Sequence, residues 1–407
     1  MTRVIHTGDT HLGYRQYHLP ERRADFLAAF RQVIEDAVDA GVDAVVHAGD
    51  LFNDRRPGLI DLRETISVLE TLRAAEIPFL AVVGNHEDAR DGQWIDLFEQ
   101  LGLATHLDAD GTVIGDTAFY GLDYVPRARR DALDYEFEPR SVPHAALVSH
   151  GRFKPFPHGD WDLETVLTEA TLEFDAALLG DDHVPDRKRV AGAWAAYCGS
   201  TERASASERD PRGYNIVTFD DGVSITRRDL DTREFVFIDV ELAPSERAAI
   251  VKERIREAKV EDAVVIVTIE GEGETIPPAE IEAVGEEAGA LVTRVNDRRE
   301  LDSEAEAAVS FADPDEAVTE RVREMGLSDV ARSIEGFVRD DSLAQSNLRD
   351  RVSETVTDRL DDPGAFEPAE AESPDSADRD GSPAVDSDDS KSAARQATKN
   401  ATMEEFL

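Results

Sequence analysis

The chain leaves the apolar pair Val4-Ile5 through the string HTGDTHLG, which sets Asp9 and His11 two residues apart beside a glycine. At a strand end, a tight turn with that spacing offers one oxygen and one nitrogen donor to the same point in space. A single Asp-x-His triplet is more often a turn capped by a polar side chain. Here the arrangement recurs behind four more apolar runs. AVVHA leads to GDLFNDRRP with Asp50, FLAVV to GNHED with Asn85 and His86, ALVS to HGRF with His150, and AALL to GDDHVP with Asp181 and His183. Five strand ends therefore supply carboxylate, amide and imidazole groups, most of them next to a glycine that lets the backbone turn sharply.

Asp, Asn and His donors without cysteine suit Mn²⁺, Fe²⁺ or Zn²⁺, and seven or so donors exceed what one ion takes. A carboxylate can bridge two ions about 3.5 to 4 Å apart, which clamp the attacking and leaving oxygens of a phosphate ester. The GDTH string then reads as the first ligand pair of a two-metal site.

The elements that must position these groups alternate in the first part of the chain. Short buried strands are expected at Arg3 to His6, Ala44 to His47 and Pro78 to Val83, with amphipathic helices at Glu21 to Ala40 and Leu59 to Ala75. From Thr112 the pattern turns strand-rich, with runs at Ala118 to Leu122, Ala145 to Ser149, Ala176 to Leu179, Trp194 to Tyr197, Tyr214 to Phe219 and Val223 to Arg227. A second sheet packed on the first is the economical arrangement. Near Arg233 a smaller α/β unit begins, in which EFVFIDVEL, AVVIVTIE and ALVTRVN alternate with helical stretches. Helical patterns follow from Asp313 to Leu360, with Val330, Ile334, Phe337 and Val338 on one face, a core stripe or a groove filler for a partner. Beyond Pro363 the composition is that of a disordered acidic tail ending in ATMEEFL.

The 407-residue chain has a formal net charge of −43, which ordinarily argues against a polyanionic partner. Lysine is confined to Lys154, Lys188, Lys252, Lys259, Lys391 and Lys399, and acidic residues are spread along every segment. That distribution fits a protein living in molar salt, where self-repulsion is screened within a few ångströms. An acidic protein that binds cations or basic partners is the alternative. Cys198 is the single cysteine, so neither a disulfide framework nor a thiolate metal cage is available. No stretch approaches the roughly 18 apolar residues of a membrane span, and a cytoplasmic location is expected.

The order Asp-x-His, Gly-Asp, Gly-Asn-His, a lone His and Gly-x-x-His resembles the calcineurin-like metallophosphoesterases over about Met1 to Thr226. The fuller strings GDTHLGYRQYHLPER, GDLFNDRRP and CGSTER look like archaeal Mre-eleven/SbcD double-strand-break repair nucleases. The resemblance implies an α/β four-layer sandwich of two mixed sheets flanked by helices (1–230), a small α/β DNA-capping domain (231–310), a helical segment that docks on a Rad-fifty/SbcC-type ATPase (311–362), and then the tail (363–407). It also implies two divalent ions, with Mn²⁺ expected. Asp9, His11 and His183 would hold one ion, Asn85, His150 and Asp181 the other, and Asp50 would bridge them. His86 would contact the phosphate. Asp181 departs from the family string Gly-His-x-His, which leaves Asp182 as a rival for its role.

Other polar residues have plainer readings. His6 and His47 lie inside strand patterns and read as packing, while His18, His106, His144 and His158 fit no ligand position. Arg55 and Arg56 are either a solvated loop or a pair that meets DNA phosphates. The stripe of Leu59, Leu62, Ile66 and Leu69, with Val68 and Leu72 beside it and Phe98, is wide enough for a homodimer interface. The expected function is a DNA exonuclease and endonuclease working on double-strand breaks with the ATPase. A phosphoesterase for small nucleotides or phosphoproteins, and a non-catalytic scaffold bridging DNA ends, are the alternatives.

Overall fold

The computed structural model describes residues 1–299 apart from 89–91, 245 and 273–275, together with Ser328 and Ala331. The helical face of Val330, Ile334, Phe337 and Val338 and the acidic tail lie outside the described residues. Strands β1 (Thr2–Thr7), β2 (Ala44–His47) and β3 (Phe79–Ala81) alternate with helices α1 (Pro20–Ala40) and α2 (Leu59–Ala74), and α3 (Trp94–Gln100) precedes β4 (Thr105–His106). Then come β5 (Thr112–Ile114), β6 (Thr117–Leu122), α4 (Arg127–Arg130), β7 (His144–His150), β8 (Phe153–Lys154), β9 (Trp161–Asp162), α5 (Leu163–Glu169), β10 (Ala176–Gly180), β11 (Asp186–Val190) and β12 (Ala193–Tyr197). The chain continues through β13 (Gly213–Phe219), β14 (Val223–Asp229), β15 (Phe235–Leu242), α6 (Ala248–Glu257), β16 (Val264–Gly271), α7 (Pro278–Glu287) and β17 (Val292–Asp297).

Two six-stranded mixed sheets result, in the orders β14-β13-β1-β2-β3-β4 and β11-β12-β10-β7-β6-β5. Strand alternation sorts their side chains into layers. Val4, Val46, Leu80, Val148 and Leu178 meet between the sheets, where Phe119 packs edge to face on Phe219. Ile5, Val45 and Phe79 point the other way, onto Phe30, Val33 and Ile34 of α1 and Leu69 and Leu72 of α2. Leu147, Ala177 and Leu179 of the second sheet cover Val166 and Leu167 of α5. The result is a four-layer sandwich with helices outside two mixed sheets.

Local signals set the helix limits. Proline occupies the first turn of α1, and Gly41 ends it in the left-handed conformation (φ 56°) with its N–H on the carbonyls of Ala37 and Val38. At the start of α2, Asp61 accepts the Gly58 N–H at 3.2 Å.

One expectation about topology needs correction. The strand-rich stretch after Thr112 does not all enter the second sheet, because β13 returns to pair antiparallel with β1, from Thr2 opposite Phe219 to His6 opposite Asn215. The return places Val217 and Phe219 in the layer between the sheets. A third, all-parallel sheet, β15-β16-β17, has its own core with α6 and α7 around Val251, Ile255, Val267 and Ile281. It meets the sandwich through Arg233, which reaches Asp25 at 2.6 and 2.9 Å, and through fully buried Arg22, whose guanidinium lies 5.0 Å from the Phe235 ring centre.

The expected interface stripe divides in two. Val68, Leu69, Leu72 and Phe98 are buried, with Phe98 packed on Phe52, so Phe98 belongs to the core. Leu62 and Ile66 lean on the same core, whereas Leu59 and Ile60 are 81% and 56% exposed.

Candidate metal centre

β1, β2 and β3 are parallel neighbours in one sheet, and β7 and β10 are parallel neighbours in the other. Their C-terminal ends carry all five donor loops, and the loops meet at one edge of the sandwich. The first two loops stay paired beyond their strands, through Asp9 N to Gly49 O at 3.0 Å, His11 N to Asp50 O at 3.0 Å and Leu12 N to Leu51 O at 2.9 Å. Asp9, His11, Asp50 and Asp181 have φ of 48°, 42°, 56° and 92°, a region that side chains rarely adopt. Each such residue costs on the order of 1–3 kcal/mol and persists only where its surroundings over-determine it. Close approach matters as well, since a Cβ at Gly84 would lie 2.1 Å from Asp50 Oδ1.

Three overlapping groups each bring their donor atoms within 4.8 Å of one another: Asp9, His11 and His183; His11, Asp50 and His86; Asp9, Asp50 and His150. Asp9, His11, Asp50 and His150 are buried. Asn85 adds its Oδ1 at 2.8 Å from His150 Nε2. The structure thus brings together Asp9, His11, Asp50, Asn85, His150 and His183, and it places His86 within donor range of His11 and Asp50 as well. Asp181 stands further off, its Oδ1 3.9 Å from His150 Nε2, while its N–H donates to both Asp9 oxygens at 3.1 Å. Asp182 spends its carboxylate on the Val184 N–H at 3.0 Å, closing its own turn.

The electrostatics are those of a cation site. Burial foremost, aided by the charges of Asp50 and Asp181 and opposed by His150 and His183, pushes the Asp9 carboxyl up to about 6. Burial also drives His11 well below the ordinary imidazole value, and its Nδ1 has no hydrogen-bond partner among the described residues. His150 donates Nδ1–H to Ala48 O at 2.8 Å, which turns Nε2 toward Asn85 Oδ1 and toward Asp50 Oδ2 at 3.4 Å. His11 and His183 bring their Nε2 atoms to 3.1 Å. Lone pairs of imidazole, amide and carboxylate aimed at one another at such distances repel unless a proton or metal ion lies among them, so the donors fit divalent ions of the oxygen- and nitrogen-preferring kind.

Two buried carboxylates that the sequence reading passed over hold the donors in place. Glu208 accepts from His183 Nδ1 at 2.8 Å and from Ala204 N at 2.9 Å, and its other partner is fully buried Arg212 at 3.3 Å. Glu87 accepts from Leu51 N and Phe52 N, both at 3.2 Å, and Gly84 N at 3.4 Å, fastening the Asp50 loop to the Asn85 loop. Burial and the Asp50 charge push Glu87 up to about 7 against those N–H groups. Only the Glu following Gly-Asn-His hinted at this in the sequence, while Glu208 gave no local signal.

The remaining candidates sort clearly. His47 is buried against Phe30 and Phe79 with Nε2 3.1 Å from Thr10 Oγ1, and buried His6 faces Asn215 at 3.4 Å. Burial holds both imidazoles down to about 3, hence neutral. His106 and His144 pair with aspartates outside the cluster. The Arg55–Arg56 loop borders His86, whose Nδ1 bonds Asn53 O at 2.9 Å.

Removing an orienting carboxylate from a ligand histidine typically weakens metal binding about 10- to 100-fold. Glu208→Ala is expected to do so here in a Mn²⁺ titration of folded protein, and unaltered affinity would show that His183 needs no such anchor.

Comparison with known proteins completes the assignment. Residues 2–185 match the calcineurin-like phosphoesterase family. The DNA double-strand break repair protein Mre11 of Halobacterium salinarum is 60% identical over 369 residues, covering 89% of this chain and 95% of that one. Mre11 of Haloferax volcanii is 60% identical over 377 residues, covering 92% and 86%, and Mre11 of Methanosarcina acetivorans is 44% identical over 374 residues, covering 88% and 60%. The acidic, lysine-poor composition accords with the haloarchaeal source of the first two. With such identity over most of both chains, the protein belongs to the Mre11 family within the calcineurin-like phosphoesterases and is a metal-dependent phosphodiesterase.

Proposed function

We propose that the protein is a two-metal DNA nuclease that processes double-strand breaks in complex with a Rad-fifty/SbcC-type ATPase, with Mn²⁺ as its ion. The observation that carries this reading is the meeting of donors from five strand ends in three overlapping groups. Asp9, His11 and His183 would hold one ion, Asn85 and His150 the other with Asp181 beside them, and Asp50, whose Oδ2 lies 3.4 Å from His150 Nε2 and 3.9 Å from His11 Nε2, the bridge. Bound ions of this kind activate water at neutral pH and stabilise both the attacking and the leaving oxygen of a phosphodiester.

The protein's own groups do the rest. His86 Nδ1–H is committed to Asn53 O and its backbone N–H to Asp50 Oδ1 at 2.9 Å, which leaves Nε2 to meet the phosphate and steady the departing oxygen. Arg152, 58% exposed and 3.9 Å from Asp181, and the loop of Arg55 and Arg56, joined to His86 through Asn53 O, would offer guanidinium groups to DNA phosphates without reading sequence. In molar salt the Debye length is about 3 Å, so the overall negative charge does not repel DNA beyond contact range.

Full-length protein in molar KCl with Mn²⁺ is offered linear duplex DNA, single-stranded circles and a chromogenic phosphodiester. Wild type is expected to cut all three, and His86→Ala to lose on the order of 10² to 10⁴ in rate with both ions retained. An emptied site in His86→Ala would make His86 a ligand, and cleavage of the small ester alone would favour the nucleotide or phosphoprotein reading. The absence of all hydrolysis would favour the scaffold. In the same metal analysis Asp181→Ala is expected to release the second ion, and Asp182→Ala to keep both.

Leu59 and Ile60, exposed at the start of α2 beyond the residues that pack on the core, support a two-fold interface there. Leu59→Asp is expected to halve the solution mass measured by light scattering, and an unchanged mass would place the interface elsewhere.

A further inference from the structure

We infer that Asp123, steadied by His106, is a positioning residue for the half of the centre built from Asn85, His86 and His150. The inference rests on the reading of that centre as hydrolytic. Val83 is the residue before Gly84-Asn85-His86, and both its polar backbone groups are held from the opposite sheet. Its N–H donates to Asp123 Oδ1 at 2.8 Å, and its carbonyl accepts from Tyr124 N at 2.9 Å. The Tyr124 ring then meets the His150 ring edge on, with centres 6.3 Å apart and planes at 74°. One dipeptide that follows β6 therefore touches both the Asn85 loop and His150.

Asp123 is itself braced. His106 on β4 brings Nε2 to 3.1 and 3.0 Å from the two Asp123 oxygens, and its Nδ1 to 2.9 Å from Asp96 Oδ1 on α3. Each ring nitrogen faces a carboxylate, and only the doubly protonated imidazolium donates to both. Burial opposes that charge, but Asp123 and Asp96 outweigh it and raise His106 to about 9. Glu99 on α3 adds an acceptor for the His106 N–H at 3.2 Å, and Asp96 also caps α3 through Gln93 N at 3.0 Å. A continuous chain of contacts thus runs from α3 through His106 and Asp123 to Val83.

Loop height is what this chain sets. With Gly84 pressed against Asp50, any shift of Val83 moves Asn85, His86 and the Asp50 contact together. Misplacing reacting groups by about 1 Å can cost on the order of 10² in rate.

The test uses full-length Asp123→Ala, Asp123→Asn, His106→Ala and His86→Ala in molar KCl with Mn²⁺ and a chromogenic phosphodiester. Asp123→Ala is expected to lower kcat about 10- to 100-fold, with KM within about twofold of wild type and weakened affinity for the second ion. Asp123→Asn keeps an oxygen for the Val83 N–H and should recover most of the rate, and His106→Ala should fall between them. If Asp123→Ala does not fold, the Asn and His106→Ala variants carry the comparison. Wild-type kcat and ion affinity in Asp123→Ala and His106→Ala, beside an inactive His86→Ala, would overturn this inference alone, even if their melting points fall. A fully active His86→Ala would overturn the reading of the centre and this inference with it.

Discussion

Two carboxylates, Asp9 and Asp50, sit out of water at the seam between the sheets, and the rest of the site is arranged around that cost. An ionised carboxylate taken from water loses several kcal/mol of solvation even after the protein relaxes. Imidazoles face both groups, with His150 at 3.4 Å and His11 at 3.9 Å from Asp50 Oδ2, and backbone N–H groups fill in, from His86 to Asp50 and from Asp181 to Asp9. Burial pushes the Asp50 carboxyl up, but His150, His86 and His11 more than reverse this and hold it below the usual range. Such a constellation of acceptors converging in a confined space is a demand for positive charge, and divalent ions meet it.

Around the donors lies a further set of carboxylates bonded to the protein itself. Glu208 orients His183, Glu87 ties the Asp50 loop to the Asn85 loop, and Asp123 grips Val83. Each spans two elements far apart in sequence and converts a strand end into a fixed mount. Loops would otherwise be the softest parts of the fold. The left-handed conformations of Asp9, His11, Asp50 and Asp181 are tolerated where long-range bonds, from Asp9 N to Gly49 O, His11 N to Asp50 O and Asp181 N to Asp9, over-determine the backbone.

The heavy acidity of the chain works at another level. Spread along the whole chain, it accords with the haloarchaeal relatives, whereas the candidate centre is built around a few buried acids. Surface charge pairs are worth little in molar salt, so the contacts that matter for the docked third sheet are those drawn away from water: buried Arg22 against Phe235 and the half-buried, two-pronged Arg233–Asp25 pair.

Much of this was legible in the residues. Alternating apolar runs and helical periods located β1, β2, α1 and α2 to within a residue or two, because burial imposes period 2 on strands and 3.6 on helices. Polar donors directly after five apolar runs pointed to the cluster that the fold gathers, since strand ends are where a parallel sheet exposes function. Three things were decided only by the tertiary structure. β13 chose the first sheet because β1 offered an unpaired edge there, a fact about pairing partners that no local pattern encodes. Phe98 and all of the α2 stripe but Leu59 went to the core because Phe52 and the first sheet were there to receive them. Glu208, Asp123 and His106 gained their roles from contacts 25, 40 and 17 residues away along the chain, and a single acidic or imidazole side chain carries no mark of the distant group it will meet.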